Sequence, residues 1–86
     1  MEFTITFTHP DGAREGLRTI RAIERVLREE GCDPFDHGTN FDGSEDYESS
    51  DVTASGDAIP MRKVNEVLKE AGAERIKVVT RQRKTP

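Results

Sequence analysis

Residues 2–9, EFTITFTH, alternate strictly, with Phe3, Ile5 and Phe7 on one face and Thr4, Thr6 and Thr8 on the other. Aromatic and β-branched residues at a period of two predict a half-buried strand. HPDG then breaks the alternation, with Pro10 and Gly12 in turn positions and Asp11 placed to cap a helix. From Ala13 to Glu30 the apolar spacing becomes helical. Ala13, Gly16, Leu17, Ile20, Ile23 and Leu27 share one stripe, and Gly31 is a natural stop. A second helix is predicted from about Ile59 to Ala71, burying Met61, Val64, Val67, Leu68 and Ala71. Pro60 lies in its first turn, where a missing N–H costs little, and Gly72 ends it. ERIKVVTR closes the chain's regular structure as a strand, with Ile76 and Val78 in phase and Lys77, Val79 and Arg81 opposite.

Residues 32–58 join the two helices, too long a span for a structureless loop in a compact domain. Asp42-Gly43 is a two-residue hairpin signal. Pairing across it sets Phe41 against Ser44, Thr39 against Asp46, His37 against Glu48 and Phe35 against Ser50. In that register Phe35 shares a face with Val52 and Ala54, so the base of a hairpin over about 34–55 reaches the core while its tip stays wet. The resulting order is β-α-β-β-α-β. With right-handed crossovers it is the ferredoxin-like α/β plait: a four-stranded antiparallel sheet with two helices on one face.

Eighty-six residues suit a single domain, 1–86, near the lower size limit for an unstapled core. The charged fraction of 35% would favour disorder without periodicity, but the periodicity is clear. One cysteine excludes an intrachain disulfide, and with neither a secretory signal nor an apolar run of spanning length the expectation is a cytoplasmic protein with no membrane partner.

Net charge is only −4, yet it is unevenly spread. Residues 33–57 carry eight Asp/Glu and no Lys or Arg, whereas residues 14–28 carry five Arg against two Glu, and the tail 81–86 is basic. Arg14, Arg18, Arg21, Arg25 and Arg28 are spaced 4, 3, 4, 3, which gathers them in one arc of the first helix. Such a stripe is either a solvated face laced with weak ion pairs or a contact surface for an anionic partner. The helix-free face of the sheet is expected to show Thr4, Thr6, Thr8, Asp51, Thr53, Ser55, Arg75, Lys77, Val79 and Arg81. It is Thr-rich, basic at the fourth strand and acidic toward the hairpin. Phe3 and Phe7 point inward, so base stacking of the kind used by RNA-binding plaits is not expected.

Catalytic and metal chemistry find little support. An EF-hand started at Asp42 has Tyr47 where glycine is required, and alternate carboxylates on a strand fan out instead of converging. Cys32, His37 and His9 match no structural zinc spacing. Cys32 follows a helix stop, where a lone cysteine acts as a small hydrophobe rather than a nucleophile. No nucleophile elbow, P-loop, GxGxxG or HExxH occurs, and no cofactor is implied. His37 opposite Glu48 is the most concrete polar pair.

What remains is recognition. Phe41, Asp42, Glu45, Asp46, Tyr47 and Glu48 combine aromatic anchors with carboxylates, suiting a basic partner with pockets, as small inhibitors that mimic nucleic acid do. The stretch DVTASGDAIPMRKVNEVLKEAGAERIKVVT resembles the C-terminal strand-helix-strand of the ExbD/TolR periplasmic domains at Asp57, Pro60, Val64 and Ala71-Gly72. The likeness spans about a third of the chain as a generic β-α-β pattern, and no family follows from it. The expectation is a non-enzymatic binding or regulatory module acting through a protein partner or self-association. Its candidate surfaces are the hairpin residues and the Arg stripe. The alternatives are a nucleic-acid binder using the stripe, or an engineered scaffold without native function.

Overall fold

The computed structural model describes residues 1–9, 13–41 and 48–81. Its elements run β1 (Glu2–His9), α1 (Ala13–Glu29), β2 (Asp33–Phe41), β3 (Glu48–Ser55), α2 (Met61–Ala71) and β4 (Glu74–Arg81). The four strands form one antiparallel sheet in the order β2-β3-β1-β4, the ferredoxin-like arrangement expected from the hydrophobic pattern.

Alternation in β1 is realised without exception: Phe3, Ile5, Phe7 and His9 are buried, and the residues between them are half-buried. They meet Val52 and Ala54 of β3, Ile20, Ile23 and Leu27 of α1, and Val64 and Leu68 of α2 in one core. Both helices end in Schellman motifs on glycine. Gly31 (φ 82°) donates to Arg28 O while Cys32 donates to Leu27 O, and Gly72 (φ 74°) with Ala73 repeats the pattern on Lys69 and Leu68. The helix α2 starts at Met61 with Pro60 as its N-cap, two residues later than the apolar spacing suggests.

The hairpin register differs from the expectation. Phe41 stands opposite Glu48, Thr39 opposite Ser50 and His37 opposite Val52, a slip of four positions from a turn centred on Asp42-Gly43. An even slip keeps every residue on its expected face, so the alternation of β2 could not reveal it. The six residues 42–47 lie between the paired ends and outside the described residues.

Phe35 is a second correction. A bulge between Pro34 and Asp36 puts Pro34, not Phe35, opposite Ala54. Pro34 is therefore buried and Phe35 is 54% exposed. An edge-strand bulge is one of the few places a sheet accepts proline, because the ladder there needs no N–H.

Four further apolar residues expected in the core are outside it: Leu17 is 39% exposed and Ile76 43%, while Met61 and Ala71 of α2 are only half-buried. On α1, Thr19 and Glu24 take the buried flank instead, with the Thr19 hydroxyl donating to Glu15 O at 2.8 Å. In β4 the register shifts between Thr6 and Thr8, and Arg75 adopts φ 51°. The strand's N-terminal half is thereby turned out of phase.

Candidate interaction surface

The two helices do not cover the sheet evenly. α1 lies over β1, β2 and β3, while α2 packs chiefly on α1. β4, at the sheet edge, is left with seven of its eight residues exposed. Val78 alone packs partly into the core, whereas Val79 on the opposite face is 47% exposed. An eight-residue edge strand with exposed β-branched side chains is a ready site for another polypeptide.

The helix-free face has the predicted composition except at the start of β4, where the register shift sets Glu74 instead of Arg75 opposite Thr8. The hydroxyls of Thr4 and Thr53 meet at 3.0 Å across β1 and β3, and Thr8 donates to Glu74 O at 3.1 Å, so threonines pin neighbouring strands on this side. Thr6 stands between Asp51 of β3 and Lys77 of β4, and Thr4 between Thr53 and Val79. The register of β2 adds Asp33 and Asp36, opposite Ser55 and Thr53, to the acidic side. Partial burial raises the Asp51 carboxyl above the ordinary range; the nearby Asp36 charge adds to this and His37 opposes it. Acidic residues thus collect along β2–β3 and basic residues along β4.

All five arginines of the α1 stripe, Arg14, Arg18, Arg21, Arg25 and Arg28, are exposed as expected. Arg18 meets Glu15 at 3.6 Å and Arg25 meets Glu29 at 3.3 Å, both solvent-washed pairs of small energetic weight. Of the hairpin candidates, Asp42, Glu45, Asp46 and Tyr47 lie outside the described residues. Phe41 and Glu48 form the last described pair of the ladder.

The His37–Glu48 pair is replaced by another. His37 Nδ1 lies 3.3 Å from Glu24 Oε2, on the flank of α1, because β2 in its true register carries His37 beneath that helix. Helical spacing places Glu24 one residue past Ile23, at the edge of the buried stripe, and that was the available signal for its burial. His9 is clamped differently. Its Nε2–H donates to Ala71 O at 2.6 Å, tying the end of β1 to the last turn of α2.

Cys32 is buried, and its thiol donates weakly to Ala58 O at 3.5 Å. Burial, then the charges of Glu30 and Asp57, push its pKa up, the opposite of what a thiolate nucleophile needs. His37 is engaged elsewhere, so the two do not form a nucleophile–base couple. Among the described residues no three His, Cys, Asp or Glu side chains converge on a metal position, and no helix is long and apolar enough to cross a membrane.

The fold has a solved counterpart. It is similar to an ACT domain protein from Streptococcus pneumoniae, at 17% identity and a TM-score of 0.62, over 92% of this chain and 88% of that one. No family model matches the sequence, nor does any curated protein. The likeness is one of fold: four antiparallel strands and two helices in the ferredoxin-like β-α-β-β-α-β order.

Proposed function

We propose that the chain is a small non-enzymatic regulatory module that works through protein contacts, with the open sheet face and its β4 edge as the working surface. One observation carries the reading: among the described residues β4 is an edge strand of the sheet and almost wholly exposed, presenting Val79 on one face and Ile76 on the other. A plait with a shared ACT-domain fold is in keeping with a regulatory role. The buried, proton-holding Cys32 and the structurally engaged His37 offer no support for catalysis. The test is Val79→Lys and Ile76→Lys, assayed by light scattering and by capture of partners on immobilised protein. Both side chains are exposed, so circular dichroism should be unchanged while association is lost. Association equal to wild type in both variants refutes the surface.

The acidic hairpin remains a second contact in this reading, tested by reversing Asp46 and Glu48 to Lys. The exposed arginine row of α1 favours one alternative, an anionic nucleic-acid partner. Absence of any electrophoretic shift at low salt removes it.

A further inference from the structure

We propose that the partner of the open face is a second copy of this chain, the two sheets stacked face to face about a two-fold axis that runs along the strands. The inference rests on the protein-contact reading and names the partner. Its basis is the way charge and symmetry combine on this sheet.

Three of the four cross-strand rows of the open face run from an acidic or empty end at β2 to a basic or apolar end at β4; the fourth, through Ser49 and Thr8, runs from Asn40 to Glu74. Asp33 and Arg81 end one row, Asp36 and Val79 the next, Gly38 and Lys77 the third. A closed dimer requires each surface to be complementary to itself under the two-fold. Edge-to-edge pairing of β4 with β4 sets Lys77 and Arg81 against their own copies. Pairing β2 with β2 does the same to Asp33 and Asp36. Stacking the faces about an axis across the strands again lays β2 on β2 and β4 on β4. Only the axis along the strands lays β2 of each copy over β4 of the other, so that unlike charges meet at both ends.

The details then fit. That axis passes between β3 and β1, over the Thr4–Thr53 hydroxyl pair, so that each threonine faces its partner's counterpart. Arg81 comes over Asp33 of the second copy. Lys77 comes over Gly38 of the second copy, whose missing side chain leaves a path to Asp51 and Asp36 there. Partial burial, with the Asp36 charge adding to it, already holds the Asp51 proton more tightly, and an incoming ammonium would offset both by favouring the carboxylate. A face four strands wide and eight residues long measures about 19 by 26 Å, so mutual cover buries on the order of 1,000 Å² in total. That is the small end of specific interfaces and a polar one, which predicts a weak, salt-sensitive dimer.

Sedimentation equilibrium on three full-length proteins tests this: wild type, an Asp33→Lys/Asp36→Lys variant and a Lys77→Glu/Arg81→Glu variant. All four positions are exposed, and circular dichroism checks that the variants fold. Wild type should dimerise, with a dissociation constant that rises about tenfold or more between low and high salt. Each variant alone should be monomeric, because its face carries one sign of charge at both edges. Mixed in equal amounts, the two variants should form a heterodimer, since each then offers the edges the other lacks. The proposal is overturned if the variants dimerise as wild type does, if their mixture stays monomeric, or if wild type grows into an open series of larger species, as β2-to-β4 edge pairing would produce. A wild type that stays monomeric at millimolar concentration also overturns it. In that case partner capture lost in Val79→Lys would still support the broader reading.

Discussion

Helix α1 approaches β3 tightly at Gly16, and this makes a double-mutant cycle with Ser50 decisive. A Cβ added at Gly16 would stand 2.7 Å from the Ser50 hydroxyl but 3.9 Å from the Ser50 Cβ. Ser50 is 1% exposed and its hydroxyl has no hydrogen-bond partner among the described residues. Removing that hydroxyl by Ser50→Ala relieves an unsatisfied buried polar group and should stabilise the fold by about 1 kcal/mol. Alanine in place of glycine inside a helix contributes about 0.5–1 kcal/mol, but in wild type the forced contact opposes it with an overpacking cost of about 1–3 kcal/mol. Gly16→Ala alone should therefore be neutral to destabilising. In the Ser50→Ala background the new methyl meets only an ordinary van der Waals neighbour, and the double variant should gain about 1.5–2 kcal/mol. For a domain of this size that raises the melting temperature by about 6–16 °C. Urea denaturation followed by circular dichroism reads all four corners. A coupling within about 0.5 kcal/mol of zero refutes the tight contact, since that is the scatter of independent sites. Destabilisation by Ser50→Ala would show that the hydroxyl is satisfied after all.

Three other outcomes are expected from the core and its titratable groups. Leu68→Ala, which empties a fully buried site between α2 and the sheet, should cost about 2–5 kcal/mol and lower the urea midpoint by about 2 M. Cys32 should react with a thiol reagent about a hundredfold more slowly in the native protein than in denaturant. Its raised pKa means that the fold holds the thiol proton more tightly, so the contribution is present at neutral pH and lost as pH climbs through the native pKa. Asp51 has the same sign at the acid end. Its raised pKa favours the fold below the ordinary carboxylate range, and the benefit is lost as pH rises through the native value. Asp51→Asn should thus stabilise dilute protein at pH 7, with a gain that shrinks toward pH 3. A constant gain would point to a cause other than charge.

Element order was legible because each element is written in its own period. The alternation of β1, the helical stripes ending at Gly31 and Gly72, and the strand at 74–81 all appear where the pattern puts them. What the pattern could not supply was register. Period-two alternation is blind to an even slip, so the Asp42-Gly43 signal could be wrong by four positions without moving any residue to the wrong face. Phe35 failed for a different reason. A hydrophobicity argument assigns the aromatic to the core over proline, but the bulge that proline favours on an edge strand advances the phase by one residue and exchanges them. Ile76 failed because burial depends on what lies above a strand, and α2 leans on α1 instead of reaching β4.

Alternation also explains why the open face was foreseeable while the hairpin pairing was not. Which face a residue occupies depends only on local alternation, so Thr4, Thr6, Asp51, Thr53, Lys77 and Val79 were placed correctly before their neighbours were known. Who sits beside whom depends on register and crossover geometry, which is how His37 exchanged Glu48 for Glu24. The functional consequence is a shift of weight. Sequence composition drew attention to the acidic tip, where charge is dense. Topology draws it to the sheet, where moderate charge is ordered: β2 and β4 sit at opposite edges of one face. Density of charge mainly sets how strongly a partner is attracted, whereas its arrangement decides which partner closes the surface. On this sheet the arrangement matches its own copy turned about the strands.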